Sequence, residues 1–250
     1  MKLAGLILAL ISMFSGCAYV NPLIQDFNVI SVEQEKVLGD QVAGEIRKEM
    51  RIVSNPGLNL RVRRLGKLLE NALLPHPFDY QFYVVQDKTP NAFSIPGGGI
   101  YVHTGLLSFV DDDNQPAGVL AHKIGHMYER HPTKSLLCAY GIEQLSGLIF
   151  RDNKNQFRTI TFQLAGGGFL MQYGREDELE ADALAYQLLR RLGMPTNGLR
   201  RFLIKLNNLY GSGHSIPFMS THPPTPERIN RLEIMERIGG QVISQPARSI

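Results

Sequence analysis

The sequence predicts a mainly helical α+β fold with a small sheet. Three observations support this prediction. Amphipathic stretches with apolar residues at helical spacing cover most of the chain, only two runs are rich in β-branched and aromatic residues, and no internal repeat is present. The chain has 250 residues, of which 44% are hydrophobic and 20% are charged, so one domain with an ordinary core is expected.

The beginning of the chain predicts targeting. Residues 1–16 resemble a bacterial lipoprotein signal, because a short apolar run, too short to span a bilayer, ends in small residues before Cys17. Cys17 is then the predicted lipidation site that anchors the chain in a membrane. An ordinary secretory signal with an incidental cysteine is the alternative. Ala18 follows the cysteine, which by resemblance to other bacterial lipoproteins favours the outer membrane, with the protein facing the periplasm.

Composition excludes two classes of protein. A net charge of +3 is far from the basic excess of a nucleic-acid binder, so no nucleic-acid partner is expected. The two cysteines imply no disulfide framework, and Cys138 is expected to be a buried free thiol if Cys17 carries lipid. The predicted organisation is a signal segment at 1–16, a lipidated tether at 17–30, a domain at 31–240 and a tail at 241–250.

Helix boundaries are marked by capping residues and breakers. Ser31 and Gln34 form a capping-box pattern, which predicts a helix over 32–50. Thr225 is the predicted N-cap of the last helix, with Pro226 at its first position. Further helices are predicted over 58–73, 116–131, 133–151, 174–192, 197–210 and 226–237.

The predicted sheet comes from residues 79–86 and from a strand that follows a glycine-rich turn. The second strand contains Gly99, Ile100, Tyr101 and Val102, and we interpret it as an edge strand. An edge strand beside a metal-binding helix could receive an extended peptide by backbone pairing. A plain hairpin with no binding role is the alternative. The glycine-rich residues 159–173 are expected to form a mobile or loosely helical cover.

The helix predicted over 116–131 carries the candidate site. His122 and His126 lie four residues apart, so both imidazoles share one helix face within reach of one ion. The pattern is that of the zinc metallopeptidase helix H-E-x-x-H, except that Lys123 stands where the glutamate belongs. The alternative is an amphipathic helix with two surface histidines. Gly125, inside the helix, indicates a close approach of another backbone or a ligand.

Acidic residues offer a third ligand. Glu178 and Asp182 are four apart on a predicted helix, so one could bind the metal while the other hydrogen-bonds a ligand histidine. The alternative is that these acids simply favour the helix dipole. The run Asp111 to Asp113 could also be a metal cluster, but a helix N-terminus capped by Asp113 or Asn114 explains it more simply.

Four segments in order then resemble peptidase family forty-eight of the gluzincins. They are NAFSIPGGGIYVHTGLL, AGVLAHKIGHMYERH, REDELEADALA and STHPPTPERI, and the resemblance covers about 31 to 237. The family includes CAAX prenyl proteases, HtpX heat-shock proteases and quality-control proteases of the bacterial envelope. The resemblance implies a zincin-like metallopeptidase domain, one Zn²⁺ per chain, and misfolded or unassembled envelope proteins as substrates. Outer-membrane assembly factors are candidate partners.

The resemblance also implies roles for single residues. His122, His126 and Glu178 match the metal ligands, with Glu180 as the nearest competitor of Glu178, and Asp182 matches the acid that supports a ligand. His222 matches a histidine that either caps the open zinc position or stabilises the transition state, although a Pro-flanked turn with an exposed side chain is its simpler interpretation. Arg228 matches an arginine near the substrate.

Lys123 leaves the function open between different classes. A protonated lysine cannot accept the proton of the attacking water, and its charge should weaken metal binding. The first hypothesis is a zinc endopeptidase in which Lys123 is tolerated or has silenced the site. The second is a catalytically inactive, lipid-anchored module that binds unfolded chains like a chaperone. A structural lipoprotein without metal is the third.

Overall fold

The structure is a computed structural model, and it describes residues 30–73, 75–150, 159–160, 173–210 and 217–239. The predicted signal segment, Cys17, almost all of the tether, most of the predicted cover at 159–173 and the tail lie outside the described residues. Among the described helices, none combines the length and the apolar character needed to cross a bilayer.

The predicted fold class is confirmed: helices dominate, and one three-stranded sheet accompanies them. The helices are α1 (Val32–Glu49), α2 (Pro56–Asn71), α3 (Thr104–Phe109), α4 (Asn114–Tyr128), α5 (His131–Phe150), α6 (Arg175–Arg191), α7 (Gly198–Tyr210), α8 (Pro217–Thr221) and α9 (Pro226–Arg237). The strands are β1 (Gln81–Val85), β2 (Ala92–Ser94) and β3 (Gly99–His103).

Local sequence signals set the helix ends. The hydroxyl of Ser31 accepts a hydrogen bond from the backbone N–H of Gln34, and the Gln34 side chain accepts one from the backbone N–H of Ser31, so the predicted capping box is confirmed. Thr225 caps α9 as predicted. At α4 the N-cap residue is Asp113, one of the two predicted, but its side chain makes no capping hydrogen bond. The carboxylate of Asp112 instead accepts from the backbone N–H groups of Asn114 and Gln115.

The strand order is β1-β3-β2, which contradicts one prediction. We predicted an edge strand at Gly99, Ile100, Tyr101 and Val102, but β3 is the central strand, parallel to β1 and antiparallel to β2. The prediction was wrong because strand order depends on pairing between distant segments, which local alternation does not report. The edge nearest the candidate helix is β2, which packs against α4.

The helix α4 runs through the middle of the core, and all its residues from Gln115 to Met127 are buried. One apolar cluster joins α4 to α2, the sheet, α6 and α7, and a second joins α1 and α5 to the other side of the sheet. Cys138 on α5 is exposed, so the prediction of a buried thiol was wrong. Leu136, two residues earlier, is the residue that faces the core, and residues two apart point to different sides of a helix.

Candidate metal centre

Two histidines on α4 form the centre of the candidate site. Nε2 of His122 and Nε2 of His126 lie 3.0 Å apart, as their spacing on a helix predicts. Both side chains are 0% exposed, so the alternative of two surface histidines is wrong. Two nitrogens with lone pairs held this close in the core are an arrangement that a cation can stabilise.

The helix α6 crosses α4 closely enough to bring two acids to these imidazoles. A Cβ atom at Gly125 would lie 2.8 Å from the carbonyl oxygen of Ala181, so the absence of a side chain permits the close approach that the sequence indicated. Glu178 Oε1 lies 3.3 Å from Nε2 of His126. Asp182 Oδ1 lies 2.9 Å from Nδ1 of His122, on the side of the ring that faces away from the cluster.

His222 follows the short helix α8 and completes the cluster. Its Nδ1 lies 3.3 Å from Nε2 of His122 and 2.6 Å from Oε1 of Glu178. The side chain is buried, so the simpler interpretation of an exposed turn residue was wrong. His122, His126, Glu178 and His222 together offer four ligand atoms within 4.8 Å of one another.

The spacing of these donors fits a zinc ion. Ligands at about 2.0–2.1 Å in a tetrahedron are separated by about 3.3 Å. The two α4 histidines lie 3.0 Å apart, and His122 lies 3.3 Å from Nδ1 of His222. Oε1 of Glu178 lies 3.3 Å from His126, and Oε2 lies 3.5 Å from His122, so these four separations are close to that value. The 2.6 Å contact between His222 and Glu178 is shorter and is a hydrogen-bond distance. Imidazole nitrogens and a carboxylate are also the donor types that zinc takes in catalytic sites.

Arg228 on α9 holds both acids in place. Its guanidinium donates two hydrogen bonds of 2.8 Å to the carboxylate of Asp182 and lies 2.5 Å from Oε2 of Glu178. The side chain is buried, so this clamp is shielded from water. Its position near a substrate stays a prediction.

Burial and this clamp set the protonation of the centre. Burial opposes ionisation of Glu178, but the charge of Arg228 and the two neighbouring imidazoles hold the pKa of Glu178 at about 2. Burial also opposes ionisation of Asp182, and Arg228 again keeps the pKa of that carboxyl below its usual value. Burial lowers the pKa values of His126 and His222 far below the usual value, which leaves neutral imidazoles able to bind a metal.

Lys123 points into the same centre. The residue is 1% exposed, and its amine lies 2.5 Å from Nε2 of His222 and over the ring of Phe218 at 5.0 Å. Burial lowers the pKa of Lys123 to about 7, with Glu178 opposing the shift. If the amine is protonated it donates to Nε2, and the ring proton of His222 then lies on Nδ1, which cannot bind a metal. A charged Lys123 and a metal-bound His222 therefore exclude each other.

Two further residues contact the centre, and neither is among the site residues predicted from the sequence. The ring of Tyr173 stacks on His126 with centroids 4.0 Å apart. Nδ1 of His131 lies 2.9 Å from Nδ1 of His126. His131 is the last residue of a segment that carries the family resemblance, so the sequence offered a signal for it. Tyr173 adjoins a glycine-rich stretch without any periodic pattern, so the sequence offered no signal for it. Glu180 lies beside His131, 3.3 Å from its Nε2, and is not a member of the four-donor cluster.

Comparisons with known proteins show which family and which relatives this chain is similar to. The family model described as Peptidase family M48 matches residues 58–236. A beta-barrel assembly-enhancing protease of Yersinia pestis is 27% identical over 231 residues, which are 88% of this chain and 47% of that protein. The mitochondrial metalloendopeptidase OMA1 of Schizosaccharomyces pombe is 26% identical over 211 residues, 83% of this chain and 62% of that protein.

The metalloprotease YcaL of Escherichia coli is 27% identical over 211 residues, which cover 81% of this chain and 80% of that protein. The chain thus spans less than two thirds of the length of the Yersinia and Schizosaccharomyces relatives and most of the length of YcaL.

Proposed function

The chain belongs to peptidase family M48, and we propose that it is a zinc-dependent metalloendopeptidase of the bacterial envelope whose hydrolytic step is slowed by Lys123. The family implies a metal. The observation that carries the proposal is the buried cluster of four donors, His122, His126, Glu178 and His222, whose ligand atoms lie within 4.8 Å of one another. We propose His122, His126 and Glu178 as the metal ligands, with Asp182 orienting His122.

When bound, a zinc ion polarises the scissile carbonyl and activates a water molecule for attack. Sites that keep all four positions for protein ligands are structural, whereas catalytic sites leave one open. His222 therefore has to leave the cluster before a substrate can enter. It follows the five-residue helix α8, whereas the other three donors lie on the long helices α4 and α6. Arg228 keeps Glu178 ionised through this change because its contact with that carboxylate does not involve His222.

We propose β2 as the strand that receives the substrate. β2 lies at one edge of the described sheet and packs against α4, so a polypeptide paired with it would pass beside the metal helix. This replaces the predicted role of Gly99 to Val102, whose backbone is already paired on both sides. Backbone pairing is independent of side-chain sequence, which suits a protease that acts on misfolded or unassembled chains.

Lys123 is the reason why the hydrolytic step should be slow. The amine is buried at the position of the general base, and a protonated amine has no lone pair with which to take a proton. The alternative of a module that only binds unfolded chains is not favoured. Such a module would not need buried ligand residues, nor Asp182 held against His122 by Arg228.

Location and partners are proposed from the beginning of the chain and from the relatives. The lipoprotein-like segment that ends at Cys17 supports a lipid anchor in the outer membrane, with the domain in the periplasm. The name of the Yersinia relative, a beta-barrel assembly-enhancing protease, supports unassembled outer-membrane proteins as substrates and their assembly factors as partners. Labelled fatty acid that is incorporated into the natural chain, but not into Cys17→Ser, would support the anchor, and equal labelling would refute it.

The proposed activity is tested with the purified full chain. We expect one zinc per chain by elemental analysis, slow cleavage of casein, loss of cleavage with a chelator and recovery on adding zinc. His126→Gln removes one proposed ligand and should lose both zinc and cleavage, whereas His103→Gln changes a buried histidine outside the cluster and should keep both. A chain that binds no zinc, or that cleaves equally in the presence of chelator, would overturn the proposal.

A further inference from the structure

His131 is a buried histidine that the proposed reaction does not use. It begins α5, three residues after α4 ends, and its side chain is buried (0% exposed). Its Nδ1 lies 2.9 Å from Nδ1 of His126, and its Nε2 lies 3.2 Å from Oδ1 of Asp177 and 3.3 Å from Oε2 of Glu180. A line of contacts therefore runs from the proposed metal ligand to two partly exposed carboxylates on α6.

The contact between two Nδ1 atoms determines where each ring carries its proton. A hydrogen bond needs one donor and one acceptor, and a neutral imidazole has one nitrogen of each kind. His126 directs Nε2 at the four-donor cluster, so as a metal ligand it must carry its proton on Nδ1 and donate to His131. His131 then accepts at Nδ1, carries its own proton on Nε2 and donates to Glu180, with the carboxylate of Asp177 3.2 Å away.

From this chain of contacts we infer that His131 is a positioning residue for the metal centre. It selects the tautomer of His126 that offers Nε2 to the metal, and it fixes the orientation of that ring. Glu180 completes the arrangement by accepting from His131, and the negative charge of Asp177 lies beside it, which makes Nδ1 of His131 a better acceptor. The inference rests on the proposed role of His126 as a ligand.

The same reasoning excludes a second metal site formed by His131, Asp177 and Glu180. By distance alone, His131, Asp177 and Glu180 could hold a second ion. An ion on Nε2 of His131 would place the ring proton on Nδ1, and His126 would then have to accept and carry its own proton on Nε2. That nitrogen could no longer bind the first ion, so two neutral histidines in this contact support one metal and not two.

The backbone before His131 adopts a conformation of unfavourable free energy, which is consistent with a positioning role. Arg130, between α4 and α5, has φ of 57°, a left-handed conformation that is unfavourable for a residue with a side chain. Its guanidinium is held by the carboxylate of Glu35 at 2.6 Å and by the carbonyl of Ile30 at 2.5 Å. This left-handed residue lies in the break between α4 and α5, directly before His131.

The test compares zinc affinity in the full chain and in two variants at position 131. His131→Phe keeps a ring but removes both nitrogens, and it should weaken zinc binding roughly 10–100-fold in a competition assay with a chelator. His131→Gln keeps an acceptor and a donor on one side chain, and it should recover most of that loss. The matched control is His103→Phe, which removes another buried histidine that lies beside a carboxylate, at 3.5 Å from Asp87. The control should leave the affinity unchanged.

Two further measurements exclude a loss through misfolding. Urea unfolding shows whether His131→Phe is folded, and the double variant Asp177→Asn with Glu180→Gln, which changes only partly exposed groups, should show a smaller loss of affinity. Nitrogen-15 spectra of the zinc-loaded chain should show one histidine with its proton on Nδ1 that changes in His131→Phe and is retained in His131→Gln. These spectra respond to the tautomer and not to stability.

The outcomes separate the inference from the function on which it rests. If the natural chain binds no zinc, the proposed function fails. If the natural chain binds zinc and folded His131→Phe binds it equally well, the inference alone is overturned. A second equivalent of zinc that disappears in His131→Phe would also overturn it, because it would make His131 a ligand of another ion.

Discussion

Replacing Lys123 by glutamate introduces a general base at the position where the zinc peptidase pattern has one. A positioned base typically contributes ~10²–10⁴-fold, which is roughly 3–5 kcal/mol of transition-state stabilisation. The amine of Lys123 is buried and lies 2.5 Å from Nε2 of His222, so a carboxylate on the same helix position enters the same buried centre. We expect the Lys123→Glu chain to cleave casein roughly 10²–10⁴-fold faster than the natural chain at equal zinc loading.

The control variant separates the missing base from the added charge. Lys123→Met keeps an unbranched side chain but has neither a base nor a cation. Two unit charges about 4 Å apart repel by about 4 kcal/mol at an effective dielectric constant of about 20. Removing the amine should therefore tighten zinc binding by roughly tenfold or more, with no gain in cleavage rate once zinc is saturating.

One result would refute this reasoning. If the natural chain cleaves as fast as Lys123→Glu, the pKa of Lys123, which burial lowers to about 7, would be allowing a neutral amine to act as the base. If Lys123→Met cleaves as fast as Lys123→Glu, Lys123 would slow cleavage only through its positive charge and not through the absence of a base.

Three changes elsewhere test the packing around the site. Gly125→Ala places a Cβ 2.8 Å from the carbonyl oxygen of Ala181 and should lower the free energy of unfolding in urea by ~1–3 kcal/mol. Glu35→Ala leaves the Arg130 guanidinium buried without its carboxylate and should cost roughly 3–5 kcal/mol in the same assay. Burial lowers the pKa of His103, so the folded state favours its neutral form, and stability is full above about pH 6.5 and falls as the pH drops. The stability of His103→Gln should fall less steeply below that pH.

Each of these predictions has a control or a contrary result. Gly44→Ala adds a Cβ on α1 that meets only the end of the Arg47 side chain at 4.0 Å, and it should stabilise the chain slightly. Glu45→Ala removes an ion pair with an exposed lysine and should change stability by less than ~1 kcal/mol. Parallel pH curves for the natural chain and His103→Gln would contradict the third prediction, and stability in Gly125→Ala equal to that in Gly44→Ala would contradict the first.

Features that depend on neighbouring residues could be predicted from the sequence. The capping box at Ser31 and the cap at Thr225 each involve side chains within three residues, and the pairing of His122 with His126 follows from the rise of one helix. Gly125 could be interpreted correctly because a glycine inside a buried helix indicates close packing, and Ala181 supplies the packed backbone.

Features that depend on distant segments could not be predicted in this way. The place of β3 in the sheet depends on its pairing with β1 as well as with β2. The clamp of Arg228 on Asp182 joins residues on different helices. The role of His131 depends on the left-handed conformation of Arg130, which no local sequence pattern predicts. Cys138 was misjudged because composition reports the usual burial of a cysteine and not the face of the helix on which it lies.

Charge balance explains how the fold accommodates Lys123 and leads to a last prediction. The three imidazoles of the four-donor cluster are neutral because burial lowers their pKa values, so with Lys123 protonated the metal-free centre holds the two cations Lys123 and Arg228 and the two anions Glu178 and Asp182. A glutamate at position 123 would leave three buried anions against one cation, and a divalent ion would restore neutrality. Buried charge without compensation costs several kcal/mol.

We therefore expect zinc to matter less for the stability of the natural chain than for that of Lys123→Glu. Zinc at a free concentration c stabilises each chain by RT ln(1 + c/Kd), about 4 kcal/mol at about a thousand times Kd, and the variant should have the lower Kd because the ion relieves repulsion among its acids. Unfolding midpoints measured with and without the same free zinc concentration, at or below neutral pH, should differ more for the variant than for the natural chain. Equal shifts in both chains would show that the amine does not serve as the counter-charge of this centre.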